Sequence, residues 1–191
     1  MSTTWPLTTE RLVLRPFEPD DFDAVWSYRR LPDVRQWLGG SLDREEVRQR
    51  FVGVEENRTL LVVLHEGEVV GDLMLIVQDA WSQREVAEQA KASVGLLGWT
   101  MRPESGGRGL ATEAVRELVR HAFDDVGVRR VVAECFADNE PSWRLMERLG
   151  MRREAHTVRD NLHRDGAWYD GLTYALLAEE WATRAPSDAQ R

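Results

Sequence analysis

Gly106-Gly-Arg-Gly-Leu-Ala-Thr-Glu113 puts three glycines into four positions between a strand-like run and a helix-periodic one. Without Cβ atoms, such a turn can double back tightly and let a ligand approach the main chain. The run that follows, Leu110–Asp124, spaces Leu110, Ala114, Leu118 and Ala122 on one helical face. A helix begins with unpaired N–H groups and the positive end of its dipole, which together suit an anion, phosphate above all. Two phosphate fingerprints are not met. Thr112 stands where GxGxxG needs its third glycine, and no Gly-Lys-Ser/Thr follows.

The preceding run, Ser93–Arg102, is strand-like but interrupted by Gly95 and Gly98. An irregular strand leaves backbone amides free to pair with an extended, amide-bearing ligand. A ligand with a diphosphate at one end and amides along an arm satisfies both features. Coenzyme A is such a molecule.

Composition narrows the classes further. The 191 residues carry a formal charge of −8, and 24 of the 25 basic residues are arginine. A chain of this length predicts one domain, here 1–184 with a flexible tail at 185–191. The negative field disfavours nucleic acid and anionic membrane surfaces. Arginine does not release its proton, so amine chemistry would rest on Lys91 alone. The single Cys135 rules out an internal disulfide and a Cys-rich zinc site, and on a buried strand it reads as an inert small hydrophobe. His65, His121, His156 and His163 lack metal-ligand spacing, so no metal is expected. With no apolar span of about 20 residues and no basic-then-apolar leader, a cytoplasmic location is expected.

Along the chain, Arg11–Phe17 alternates as a first strand, and Glu18-Pro-Asp-Asp21 opens a helix that Leu31-Pro32 ends. A second helix starts near Ser41 or Asp43, with Val47, Phe51 and Val54 on one face. Leu60–His65 and Val69–Gln78 form a hairpin, and Asp79–Ala92 is a polar insertion. After the glycine turn and its helix come a strand (Arg129–Ala137) and a helix (Asn139–Leu149) closed by Gly150. Two strands (Met151–Arg159, Trp168–Leu177) and a short helix (Glu179–Arg184) end the domain. This mixed order predicts an α/β or α+β fold on a mixed sheet.

Gly98-Trp-Thr-Met-Arg-Pro-Glu-Ser-Gly-Gly-Arg-Gly-Leu-Ala-Thr-Glu-Ala114, then Asp138-Asn-Glu-Pro-Ser-Trp-Arg-Leu-Met-Glu-Arg-Leu-Gly-Met151, resembles the GNAT acyltransferases. The opening Thr8–Phe17 and the closing Trp168–Leu177 resemble the branch of RimJ/RimL-type ribosomal-protein N-terminal acetyltransferases. The resemblance implies a mostly antiparallel sheet split by a β-bulge, with helices on both faces and acetyl-CoA in the split. It assigns the pyrophosphate to Gly106, Gly107, Arg108, Gly109, Leu110, Ala111 and Thr112. It assigns the pantetheine and thioester to the backbone of Trp99, Thr100 and Met101, a pantetheine contact to Asn139, and a hydroxyl near the sulfur to Ser142. Gly106 departs from the Gln or Arg that usually opens the loop, and Met146 stands where many relatives carry a tyrosine acid. The acid role then shifts to Ser142.

The implied reaction is direct acetyl transfer to a primary amine: a protein N-terminus or a small cationic amine such as a polyamine or aminoglycoside, with a homodimer allowed. The overall charge points to a cationic acceptor. A carboxylate acting through water would take the amine proton, with Glu134, Asp138, Glu85 and Glu88 as candidates. Simpler readings stand beside these roles. Ser142 and Asn139 suit helix capping, Trp168 and Tyr169 suit either the acceptor cleft or sheet packing, and the Arg129-Arg130 and Arg152-Arg153 pairs suit a solvated face or, less, the ribose phosphate. A non-catalytic acyl-CoA sensor and a nucleotide-dependent enzyme are the competing classes. The loop Leu31–Ser41, the insertion and the turn Arg159–Gly166 are the expected specificity elements.

Overall fold

The computed structural model describes residues 5–53 and 57–184; the tail expected at 185–191 lies outside them. The chain begins with Leu7–Thr8 (β1) and Leu12–Pro16 (β2). Glu18 and Asp21 cap a short turn reciprocally, and helix α1 runs over Phe22–Arg29. Pro32 ends that helix and also starts α2 (Pro32–Arg35), because its fixed φ and missing N–H suit a first turn. Asp43 caps α3 (Arg44–Val52), accepting from the N–H groups of Glu45 at 2.9 Å and Glu46 at 3.0 Å. Val54, expected on that helix, lies outside the described residues.

Arg58–His65 (β3) and Glu68–Gln78 (β4) form the hairpin, turning on Glu66 and Gly67 at φ 53° and 83°. Two positive φ values in a two-residue loop match the twist of the flanking strands. The polar insertion folds into a short helix, Ala87–Ala90 (α4), before Val94–Met101 (β5). Leu110–Arg120 (α5) widens into a π-helical turn at His121–Val126, then Arg130–Phe136 (β6) and Glu140–Arg148 (α6) follow. Arg152–Leu162 (β7), Trp168–Leu177 (β8) and Ala178–Arg184 (α7) complete the chain.

The eight strands of the described residues form one sheet in the order β1-β2-β3-β4-β5-β6-β8-β7. Among the described residues only β5 and β6 pair in parallel; every other neighbouring pair is antiparallel. Alternation along β3 feeds two cores. Leu61 and Val63 face the layer holding Leu110, Ala114 and Leu118 of α5, while Val62 faces Phe22, Val25 and Phe51 of α1 and α3. Helices therefore cover both faces, as the sequence predicts.

The split sits between β5 and β6, which pair only over Val94–Leu96 against Arg130–Val132. A bulge is the expected cause, but the β4–β5 register runs unshifted from Gln78↔Val94 to Gly71↔Met101. The two strands diverge instead. Each keeps a full ladder on its outer side, with β4 or with β8, so sheet twist can carry the halves apart. Gly95 lies at the shared end, where a Cβ would come 2.9 Å from Leu75 Cδ1 and 3.5 Å from both Val128 and Val131. A side chain there would crowd Leu75 of β4, while its contacts with Val128 and Val131 would be ordinary ones.

Candidate active site

The glycine turn leads directly into α5. Gly107 and Gly109 hold φ of 72° and 77°, the left-handed region, and Gly109 is the residue at the helix start. Helix geometry leaves the N–H groups of Leu110, Ala111 and Thr112 without partners inside the helix. A Cβ built on Gly107 would meet nothing within 4 Å, so the loop's face is open.

A clamp from the first strands fixes this loop, and nothing in the sequence spacing signals it. Thr9 Oγ1 donates to Glu113 Oε1 at 2.6 Å, and Arg11 gives Glu113 its backbone N–H at 2.9 Å and its Nε–H at 2.7 Å. Arg11 Nη1 also donates to the carbonyl of Arg108 at 2.9 Å. That bond occupies the Arg108 carbonyl, so it is not a free acceptor at the turn. Burial pushes the Glu113 carboxyl up, but the hydrogen bonds from Thr9 and Arg11 win and hold it below the usual carboxylate range. A carboxyl depressed on folding stabilises the fold above its unfolded pKa of about 4.3, and the contribution is lost as pH falls through the folded value. The stability difference between the wild type and Glu113→Gln is therefore expected to be full at pH 7 and to shrink below about pH 4. Urea unfolding of both proteins at the two pH values measures it.

The β5–β6 split opens into a cavity of about 700 Å³, whose lining does not include the glycine turn. Gly98, Trp99 and Thr100 of β5, Glu134 and Cys135 of β6, and Asn139 and Ser142 at the start of α6 line one part. Trp26, Trp37 and Phe51 line the side formed by α1 to α3. Asn139 begins α6, yet its side chain makes no cap bond, and Ser142 lies three residues into the helix, past the cap position. Capping therefore explains neither side chain. Trp143 fixes the turn before them by donating Nε1–H to the Ala137 carbonyl at 3.1 Å. Met101 is part-buried and packs against the main core, and Met146 is wholly buried in it. Burial pushes the Cys135 thiol up to about 11, in keeping with an unreactive role.

The cavity floor holds a buried ionic network. Asp72 is 3% exposed and accepts from Tyr28 Oη at 2.7 Å, Arg29 Nε at 3.0 Å and Arg29 Nη2 at 2.9 Å. Arg29 Nη2 also donates to Thr100 Oγ1 at 3.0 Å, tying α1 to the strand at the split. Burial, then the Asp72 charge, pushes the Tyr28 phenol well above its ordinary value. Asp72 and Thr100 are cross-strand partners, so the network locks the register where the sheet opens. A lone aspartate inside the apolar run Val69–Val77 is the only sequence trace of it.

The other candidates separate by position. Of the four carboxylates, Glu134 lines the cavity and Asp138 does not, whereas Glu88 pairs with Lys91 at 2.8 Å in the insertion that also carries Glu85. Trp168 is 57% exposed, and Tyr169 packs its edge against Phe136; neither lines the cavity. Of the two arginine pairs, Arg130 at the start of β6 and Arg152 at the start of β7 are engaged in ion pairs. Arg130 Nη1 reaches Glu154 at 2.9 Å, and Arg152 bonds Glu154 at 2.6 Å and also Glu180. Two of the expected specificity loops meet: His163 Nε2–H donates to the Gln36 carbonyl at 2.9 Å, and Arg164 donates to that of Leu38. Among the described residues no cluster of three His, Cys, Asp or Glu is placed to hold a metal, and no helix is long and apolar enough to cross a membrane.

A sheet parted beside a glycine-turn helix start, with polar side chains in the opening, defines an acyltransferase architecture. The family model described as an acetyltransferase (GNAT) domain matches residues 11–152, and the chain belongs to that family of acetyl-CoA-dependent N-acetyltransferases. It is 27% identical over 179 residues to the Bacillus subtilis protein called uncharacterized N-acetyltransferase YnaD, covering 92% of this chain and 98% of that one. The crystal structure of a GNAT-family acetyltransferase from Bacillus anthracis superposes with a TM-score of 0.75 at 28% identity, over 92% of this chain and all of that one. RimL, a ribosomal L7/L12 α-N-protein acetyltransferase solved with coenzyme A, shares the fold at a TM-score of 0.71 and 18% identity, over 90% of this chain and 97% of that chain.

Proposed function

We propose that this protein moves an acetyl group from acetyl-CoA directly to a primary amine, foremost the α-amine of a protein N-terminus, as in the RimJ/RimL-type branch. One observation carries the reading: a single opening brings together the β5 edge left unpaired beyond Leu96, the uncapped side chains of Asn139 and Ser142, and a wall lined by three helices. The groups present fit the coenzyme. The donors at Gly107 to Thr112 suit its diphosphate, whereas the Gly106 N–H already donates to the Pro103 carbonyl at 2.9 Å. The β5 backbone at Trp99, Thr100 and Met101 suits the amides of its arm, and Asn139 would add a side-chain contact.

Acetyl-CoA supplies an activated acyl group whose thiol, with a pKa of about 8.5, is already a fair leaving group. The protein would supply the rest. A backbone N–H near Thr100 or Met101 would face the acyl oxygen, where negative charge builds. Ser142 Oγ–H would donate to the sulfur; a neutral hydroxyl can stabilise that charge without giving up its proton. Glu134, open to water at the cavity wall, would take the amine proton through a water molecule. An α-amine, with a pKa of about 7.7–8.0, is already partly neutral near pH 7, whereas a lysine at about 10.4 is not. The carboxylate has least to do for an N-terminus, which favours that acceptor.

Ser142→Ala is expected to lower kcat about 10- to 100-fold, the worth of one hydrogen bond to a charged group, while coenzyme A affinity shifts less than about threefold. Steady-state thiol release with calorimetric titration of coenzyme A separates the two. Unchanged turnover would remove Ser142 from the mechanism.

A further inference from the structure

The overall charge of −8 predicts a cationic acceptor, but the cavity has the opposite balance. Among the described residues its wall carries five arginines against the three carboxylates Glu46, Asp72 and Glu134. Two of the arginines are occupied. Arg29 forks onto Asp72 and Thr100, and Arg58 donates to the carbonyls of Arg50 and Gly53. Arg30, Arg35 and Arg50 remain, and among the described residues none of them has a carboxylate partner.

Three successive elements deliver these side chains to one cavity: Arg30 follows α1, Arg35 ends α2 and Arg50 lies in the last turn of α3. Gly40 makes room for one of them, since a Cβ there would stand 2.9 Å from Arg50 Nη1. Arg30, Arg35 and Arg50 are themselves exposed, and Trp26, Trp37 and Phe51 give the same wall an apolar lining beside them, which focuses their field at the cleft. The coenzyme's own phosphates do not account for them. α1 and α3 cover the face of the sheet opposite α5, whose start carries the glycine turn.

We propose, building on the acetyltransferase reading above, that the acceptor amine carries a carboxylate near the reacting nitrogen, and that Arg30, Arg35 and Arg50 bind it. Guanidinium groups match the planar, two-oxygen geometry of a carboxylate, and they repel a polyamine. Two sources share this chemistry: a free amino acid or similar small amine, and a peptide N-terminus with an acidic side chain in its first residues. The same groups then exclude polycations from an otherwise negative protein.

The test compares matched acceptors by acetyl-CoA-dependent thiol release, with mass detection of the product. One arm sets amino acids against their methyl esters. The other sets peptides with Asp or Glu at the second and third positions against the Asn or Gln versions. Esters and amides lack the charge, and esters also have the more easily deprotonated amine, so without recognition they would react at least as fast. The expected result is a kcat/KM about tenfold or more higher for the charged member of one pair, the arm identifying the source. In Arg35→Gln/Arg50→Gln that ratio should fall towards one, while coenzyme A affinity and melting temperature stay near those of the wild type. Equal rates within both pairs, or faster turnover of spermidine than of any carboxylate-bearing amine, would overturn the proposal and leave the acetyltransferase reading intact. Coenzyme A affinity lost with the two arginines would also overturn it, by assigning them to the coenzyme. No turnover on any amine and no coenzyme binding would overturn the acetyltransferase reading itself.

Discussion

Gly109→Asp is expected to weaken coenzyme A binding about 100-fold with little loss of fold stability. Two effects act on the fold. An L-residue at φ 77° costs about 1–2 kcal/mol, and aspartate recovers part of this because it tolerates the left-handed region and suits a helix start. Space is not the obstacle, since a Cβ there meets only Arg11 Nη2, at 3.5 Å. The effect on the ligand is electrostatic. A carboxylate about 5 Å from a phosphate in a medium of effective dielectric about 20 is repelled by about 3 kcal/mol. Arg11 would draw the new carboxylate partly aside, so the strain and the repulsion do not simply add. Gly109→Ala isolates the strain and should cost less than about tenfold. Calorimetric titration of both variants checks the pair, and equal affinities for the two would deny that phosphate sits at this turn.

Asp72→Ala is expected to cost the most stability of any single change at the site. It leaves the Arg29 guanidinium, 20% exposed, without its counter-charge and takes the acceptor from the buried Tyr28 hydroxyl. Removing one partner of a buried pair costs about 3–5 kcal/mol, and the partial exposure of Arg29 sets the expectation near about 3. For a domain of this size that is a fall of roughly 6–12 °C in melting temperature. The companion Arg29→Met/Asp72→Leu should recover much of the loss, because an apolar pair of similar volume replaces the ion pair without leaving a charge unpartnered. A melt within about 2 °C of the wild type for Asp72→Ala alone would mean that the network does not hold α1 and β4 to β5.

What could be read from the sequence was local. The glycine turn, the apolar face of Leu110, Ala114, Leu118 and Ala122, and the Glu66-Gly67 hairpin are each written in a few adjacent residues, and the structure forms them there. The order of motifs identified the family because each piece has its own local chemistry. Long-range pairings left no such trace. Glu113 is held by Thr9 and Arg11 across about a hundred residues, and Asp72 is held by Tyr28 and Arg29 across more than forty. No periodicity connects those positions. The cause of the split was also hidden: the resemblance implied a bulge, whereas the β4–β5 register is unshifted and β5 and β6 stop pairing beyond Leu96. Net charge is likewise a sum without local detail: −8 over the chain sits beside a cavity wall of five arginines and three carboxylates among the described residues.

The most direct test is a crystal structure of the wild-type protein with acetyl-CoA. The account predicts the diphosphate on the N–H groups between Gly107 and Thr112, the pantetheine arm lying along β5 beyond Leu96, and the sulfur within hydrogen-bond reach of Ser142 Oγ. Coenzyme bound elsewhere on the molecule, with the glycine turn empty and the β5–β6 opening filled only by water, would contradict it.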